Sequence, residues 1–398
     1  MINNRSKIAR FALYLFMFSI NFEVFNLFGD SGALSVGRLT GFIYIGAFYY
    51  ANYRVSLYQL NNLFISLIAF ILLILVTSTF HINYLSDRII DISLVQNIVL
   101  FFLLLNHEKY EPGVLKKSIY AFAFGSSLLG VFYIYGIGVE YTGGRLSLFE
   151  DNENAIGIRM AISSIYLINS FFALSKKFYF KKSLIVLPVP LLIIVMMGTS
   201  SRVAFISFCV MLLALLGFYF LIHPIKRLFP IVMISGLVAY FFIPFILSND
   251  LLINRLLASK SGDLAGRGDI WLSYIPSIWK SPIFGYGFSG YEKISMNIFG
   301  QLVSPHNVII EVLLYSGFAG FAFYMWFNAQ VIFSAFRMYS IKKECLGLVL
   351  LIPYAGGVLS GQVLVTKLMW FILAFNCISL LNEKQFVPNV EENISPKH

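Results

Sequence analysis

Apolar residues run along this chain in long blocks separated by short polar stretches, and the blocks recur over most of its length. Those at 63–80 and 204–222 come close to the ~20 residues that a helix needs to cross a bilayer. A spanning β-barrel would instead show weak alternation over segments of roughly ten residues, which is absent. The pattern predicts spans at 11–28, 39–53, 60–80, 91–106, 117–138, 154–174, 184–199, 202–222, 229–247, 307–334, 346–362 and 365–382. The fold class expected is therefore all-α: a polytopic membrane protein of about twelve transmembrane helices. It divides into membrane helices over 1–247, a long external loop over 248–306, further helices over 307–382 and a polar tail over 383–398. The tail carries Pro388 and Pro396 and is expected to be disordered. Arg5, Lys7 and Arg10 precede the first block, and no small-residue cleavage site follows it, so this block is expected to remain as the first span.

Composition agrees with that class. The 398 residues are 59% hydrophobic and 12% charged, with a mean hydropathy of +0.80, which excludes a soluble globular protein. Cys209, Cys345 and Cys377 stand singly in or beside apolar segments and read as small buried hydrophobes. The net charge of +10 is spread over many short loops, as is ordinary for membrane proteins, so nucleic acid is not an expected partner.

The placement of the cations says more than their number. Lys176, Lys177, Lys181 and Lys182 fall in one connection, Lys116 and Lys117 in another, and Arg337, Lys342 and Lys343 in a third. With the N-terminus inside, all of these lie in the cytoplasm, as the positive-inside rule requires. On that side Lys outnumbers Arg 13 to 5, whereas outside Arg outnumbers Lys 7 to 4. Topology needs only positive charge, but forked contacts to phosphate or carboxylate favour Arg. The outer face therefore reads as built to hold an anion.

Four external elements carry candidate chemistry. The first is Gly143-Gly144-Arg145, followed by a polar stretch that includes Asn154 at the entry to the sixth span. Arg159, a little over one turn further on, needs a partner or a cavity at that depth. The second is Gly198-Thr199-Ser200-Ser201-Arg202, a tight turn that puts Arg202 at a helix N-terminus, where the backbone already favours anions. The third is Gly266-Arg267-Gly268-Asp269-Ile270-Trp271. Here Asp269 is the expected N-cap of a short amphipathic helix that lies in the outer interface with its Trp residues as anchors. The following Gly285-Tyr286-Gly287-Phe288-Ser289-Gly290 has the letters of a dinucleotide loop but no βαβ context, so its glycines read as a turn or a close backbone approach.

The fourth element is Ser304-Pro305-His306-Asn307, with Glu311 one turn on. His306 opens a span on the arginine-rich face, where the helix dipole and nearby cations oppose protonation. A neutral imidazole there suits a general base. Asn307 and Glu311 are four residues apart and are expected to orient one ligand. No metal-ligand cluster and no nucleotide-binding phosphate loop is visible, so no cofactor is expected.

In order, Ser-Ser-Arg202, Arg267-Gly-Asp-Ile-Trp, Ser-Pro282-Ile-Phe-Gly-Tyr-Gly287, Pro-His306-Asn307 and Ser-Gly317-Phe-Ala-Gly320 resemble the O-antigen ligase/polymerase superfamily. The resemblance implies an inverting, metal-independent glycosyltransferase of the GT-C type in the bacterial inner membrane, with its site on the periplasmic face. Its partners would be an undecaprenyl-diphosphate-linked oligosaccharide, the bilayer and, for a polymerase, a chain-length regulator. Arg202 and Arg267 would grip the diphosphate with help from Arg145, and His306 would deprotonate the acceptor hydroxyl. Of the two activities in the superfamily, the reading leans to the polymerase, with the ligase as alternative. An exporter of the same lipid-linked glycan would place ionisable groups near the midplane within an internal repeat. Here the charges crowd one surface.

Overall fold

A chain made of long apolar blocks must close its backbone hydrogen bonds within each segment to survive in lipid, and the computed structural model is helical accordingly. It describes residues 4–25, 35–81, 89–173, 184–222, 247–260 and 266–381, together with Gly236 and Pro244. The first six helices are α1 Asn4–Ser19, α2 Val36–Tyr50, α3 Asn61–Thr79, α4 Ile92–Tyr110, α5 Val114–Ile134 and α6 Glu153–Ala173. Then come α7 Val189–Gly198, α8 Arg202–Ile222, α9 Asp250–Lys260, α10 Arg267–Lys280 and α11 Gly287–Phe299. The last three are α12 Val308–Lys342, α13 Leu346–Ser360 and α14 Lys367–Asn376. Among the described residues α3, α5, α6, α8 and α12 are each long and apolar enough to cross a membrane. The chain is an all-α polytopic membrane protein. The expected ninth span lies outside the described residues apart from isolated positions, as do the Lys176–Lys182 cluster and the tail.

Helix α12 packs along α3, α1 lies between α2 and α5, and α6 lies against α7 and α8. Helix α13 joins the two groups by touching both α8 and α12. Trp370, Tyr44, Tyr166, Phe101 and Phe327 fill the centre with no more than 1% of their surface exposed. Cys345 and Cys377 are buried as free thiols and Cys209 is half-buried.

Three details depart from the sequence pattern. A hairpin of β1 Val139–Thr142 and β2 Arg145–Leu148, closed by Gly143-Gly144, precedes α6. Among the described residues the long loop holds three helices (α9, α10 and α11) rather than one. Asp269 is not the N-cap of α10. The helix opens at Arg267 after Gly266 in a left-handed conformation, and Asp269 sits in the first turn, where a carboxylate still complements the helix dipole.

The Gly-x-Gly stretch has a structural use. Helix α12 breaks at Gly317, whose φ of 57° and ψ of −162° leave backbone groups without helical partners. The loop between α10 and α11 supplies them. Phe318 and Ala319 donate N–H to the carbonyls of Pro282 (2.7 Å) and Ile283 (3.0 Å), and Tyr286 donates N–H to the Leu314 carbonyl (2.8 Å). Gly287, at φ +68°, lies so close to α3 that a Cβ there would sit 2.2 Å from the Ser78 nitrogen.

Gly287→Ala is therefore expected to destabilise the protein by on the order of 3 kcal/mol, as left-handed strain and overpacking add. Thermal melting of the purified protein in lipid would show it. Gly300→Ala is the control: its φ is +70°, but nothing stands within 4 Å of the new methyl. It should lose about 1 kcal/mol. Equal losses in the two variants would mean that packing against α3 contributes nothing.

Candidate active site

Where the end of α1, α6, α10, α13 and α14 meet with the segment before α12, they line a half-open cavity of about 440 Å³. Asn154, Arg159, Arg267 and His306 line it. Arg145 and Arg202 do not line it: Arg145 donates to the side chain of Asn154, which does, and Arg202 is the residue before Val203, which does.

Each cation is held by backbone. The short turn from α7 to α8 passes through Ser200 at a left-handed φ of 46° and leaves Arg202 as the first residue of α8. The Arg202 Nη1 donates to the Arg255 carbonyl at 3.0 Å, and the Arg255 Nη1 donates to the Ser200 carbonyl at 3.0 Å, so α9 and the turn clasp each other reciprocally. The Arg267 Nη1 donates to the Ser360 carbonyl at the end of α13 (2.8 Å). Arg145 ties the hairpin to both neighbours. Its Nε donates to the Thr199 carbonyl (3.1 Å), its Nη2 to Asn154 Oδ1 (3.0 Å), and its Nη1 pairs with Glu153 (3.1 Å).

Arg145, Arg202, Arg255 and Arg267 thus converge on one region. Burial pushes the Arg267 guanidinium below its ordinary value, and repulsion from Arg202 and Arg255 adds to that. Burial also lowers Arg145, Glu153 partly opposes the shift, and Arg202 and Arg267 lower it further. Guanidinium groups stay charged nonetheless. A cluster of like charges in a half-buried site is a standing attraction for a multivalent anion.

His306 occupies a left-handed conformation (φ 49°) that is uncommon for a residue with a Cβ, and its loop is fixed from behind. Trp271 of α10 donates its indole N–H to the Pro305 carbonyl (2.8 Å). Tyr274 of α10 and Tyr291 of α11 both donate to the Val303 carbonyl (2.5 and 2.9 Å), and Val303 N–H donates to the Ser295 hydroxyl (2.7 Å). Helix α10 therefore does more than lie in an interface: buried Tyr274 and Ile278 face the core while Trp279 stays exposed. None of these bonds uses the His306 ring.

Burial, and secondarily the Arg267 charge, holds the imidazole below its ordinary pKa. A lowered pKa keeps it neutral, and able to accept a proton, further into acid. If His306 is the base, the rate should fall only as pH drops through that lowered value. Arg267→Gln should move the acid limb to higher pH, yet not fully to that of an ordinary histidine, because burial is the larger cause. A pH–rate profile of the two proteins checks this, and coincident acid limbs would separate Arg267 from the titrating group.

The remaining candidates are engaged with protein. Arg159 pairs with Asp151 and donates to the carbonyls of Ile20 (3.1 Å) and Asn21 (3.0 Å), where α1 ends. The Asn307 Oδ1 caps α12 by accepting N–H groups from Ile309 (3.0 Å) and Ile310 (3.2 Å). Buried Glu311 accepts from the Ser304 hydroxyl at 2.9 Å and so braces the His306 loop. Sequence reasoning did not single out Arg255. The signal available was its place among the arginines of the outer face.

Residues 187–325 match the protein-family model described as O-antigen ligase. The match covers about a third of the chain and supports its similarity to the O-antigen ligase/polymerase superfamily. The matched segment contains Arg202, Arg255, Arg267, His306 and the Gly317 break, whereas Arg145, Asn154 and Arg159 precede it. Members of this superfamily are glycosyltransferase-like enzymes. None of the curated proteins compared with the chain matches it.

Proposed function

We propose that this protein transfers a glycan from a polyprenyl-diphosphate carrier to a sugar hydroxyl, acting as a surface-polysaccharide (O-antigen) polymerase at the periplasmic face of the bacterial inner membrane. The observation that carries the reading is the gathering of Arg145, Arg202 and Arg255 around Arg267, which lines one cavity together with His306. In the step, the acceptor oxygen attacks the anomeric carbon from the side opposite the diphosphate. His306 takes the hydroxyl proton as the new C–O bond forms and the bond from the anomeric carbon to the phosphate oxygen breaks. The electron pair leaves on the diphosphate, where Arg202 and Arg267 stabilise the added charge, with Arg255 and Arg145 holding the turn and hairpin in place. Inversion at the anomeric carbon follows from a single displacement. Undecaprenyl diphosphate is the proposed carrier, and a chain-length regulator is a proposed partner of the polymerase.

The family description itself favours a second reading, ligation of the finished glycan to lipid A–core. Both activities use one donor and differ in acceptor. Purified protein in lipid, given undecaprenyl-diphosphate repeat units with and without lipid A–core, tells them apart. A ladder of longer glycans still on undecaprenyl is the expected result. Product on lipid A–core alone would make the protein a ligase. Absence of both, with folded protein and intact donor, would remove the enzyme reading and favour a transporter of the same lipid. Repeating the reaction with a chelator tests metal independence.

A further inference from the structure

The cavity has a second wall, opposite in chemistry to the arginines. It is built from the end of α1, the start of α6 and the link from α13 to α14, which contribute Glu23, Asp151, Asn152, Asn154 and Gln362. Both carboxylates already have a cation from the protein: Glu23 pairs with Lys367, and Asp151 with Arg159. Both asparagine carbonyls are also engaged. Asn152 Oδ1 accepts N–H from Asn154 (2.9 Å) and Ala155 (3.3 Å), and Asn154 Oδ1 accepts from Arg145 (3.0 Å) and Ser201 (2.8 Å). What each asparagine retains for a ligand is its amide NH₂. The wall therefore presents amide donors and carboxylate acceptors with no net charge.

A ligand matched to such a surface is rich in hydroxyl groups and uncharged. Donors and acceptors interleaved at short range satisfy a polyol, while a ligand carboxylate would meet Glu23 and Asp151 with both of their cations already engaged. The volume of about 440 Å³ lies within the roughly 300–1,000 Å³ of small-ligand pockets and suits a terminal sugar better than a whole oligosaccharide. His306 lines the same cavity, so a hydroxyl bound on this wall is offered to the base while the arginines hold the diphosphate. We infer that this wall is the acceptor subsite, and that it selects an uncharged sugar at the accepting end of the glycan. The inference rests on the glycosyltransferase reading above and adds which acceptor chemistry the site takes.

The test uses the full-length protein in lipid, with its undecaprenyl-diphosphate-linked repeat unit as donor. The acceptor is a soluble glycoside of the repeat unit taken from the organism's own polysaccharide, supplied either intact or with its terminal sugar oxidised at C6 to a uronate. The intact acceptor should be preferred by more than about tenfold in kcat/KM, the worth of one or two charge-assisted hydrogen bonds. Asn152→Ala and Gln362→Ala should each raise the acceptor KM about fivefold to tenfold while the donor KM moves less than twofold. Glu23→Gln removes the partner of Lys367 and should raise the uronate-to-intact ratio severalfold. Gln362 is solvent-exposed, so its truncation spares the fold. Asn152→Ala also removes the side-chain cap of α6 and should cost about 1 kcal/mol in melting, which Asn152→Ser, keeping a capping oxygen without the amide, controls for. Equal use of the two acceptors, or unchanged acceptor KM in both alanine variants, overturns the subsite and leaves the enzyme standing. If wild-type protein transfers to no acceptor at all, the glycosyltransferase reading falls and the subsite with it.

Discussion

Removing the imidazole at position 306 is expected to lower glycan transfer by about 10²–10⁴-fold, the usual contribution of a positioned general base. The protein itself should survive the change. The loop is held by Trp271, Tyr274, Tyr291 and Ser295 acting on the backbone of Val303 and Pro305, and none of those bonds involves the ring. One complication is the left-handed backbone at His306, which alanine tolerates poorly and asparagine tolerates better. His306→Asn therefore serves beside His306→Ala, since it keeps the backbone while removing the base. Product ladders measured together with melting curves report on both points. Wild-type rates in the asparagine variant would take histidine out of the mechanism, and a melting loss confined to the alanine variant would show the cost of the backbone alone.

The sequence showed parts of this site more clearly than others, for physical reasons. Arg202 could be placed because a turn of a few residues between two apolar blocks leaves a single location for it, at the head of α8. His306 could be placed because the apolar run that follows it marks where α12 begins. Arg255 could not. It sits on α9, and only tertiary packing brings that helix against the Ser200 carbonyl, an acceptor that every residue possesses and no side chain announces. Arg159 was ambiguous between solvent and bundle for a similar reason, as its partners are the carbonyls where α1 ends. The amide and the carboxylate at Asn307 and Glu311 share a helix end, as their spacing suggested, yet one caps that helix and the other braces the loop before it. The glycines at 285 and 287 signalled a close approach without naming the neighbour. Ser78 and Gly317, both far away in sequence, decided that.

Arg202→Ala is expected to lower kcat/KM by about 10²–10³-fold, the range found when one donor to developing charge is removed. The loss should divide between the two constants. The diphosphate is anionic before the reaction, so part of the arginine contact is made in the ground state and appears in KM. The leaving oxygen becomes charged only as its bond to the sugar breaks, so the remainder appears in kcat. Arg202→Lys separates charge from geometry. Lysine restores the point charge but not the fork, and it cannot both reach the Arg255 carbonyl from the head of α8 and present a second N–H to phosphate in a fixed plane. It should therefore recover KM more fully than kcat and remain at least tenfold below wild type. Arg255→Lys, which breaks the reciprocal hold on the Ser200 carbonyl, should have a smaller effect in the same direction because it moves Arg202 rather than replacing it. Steady-state kinetics with the lipid-linked donor resolve these cases. Full activity in Arg202→Lys would reduce Arg202 to a packing residue of the α7–α8 turn and leave Arg267 as the main contact for the diphosphate.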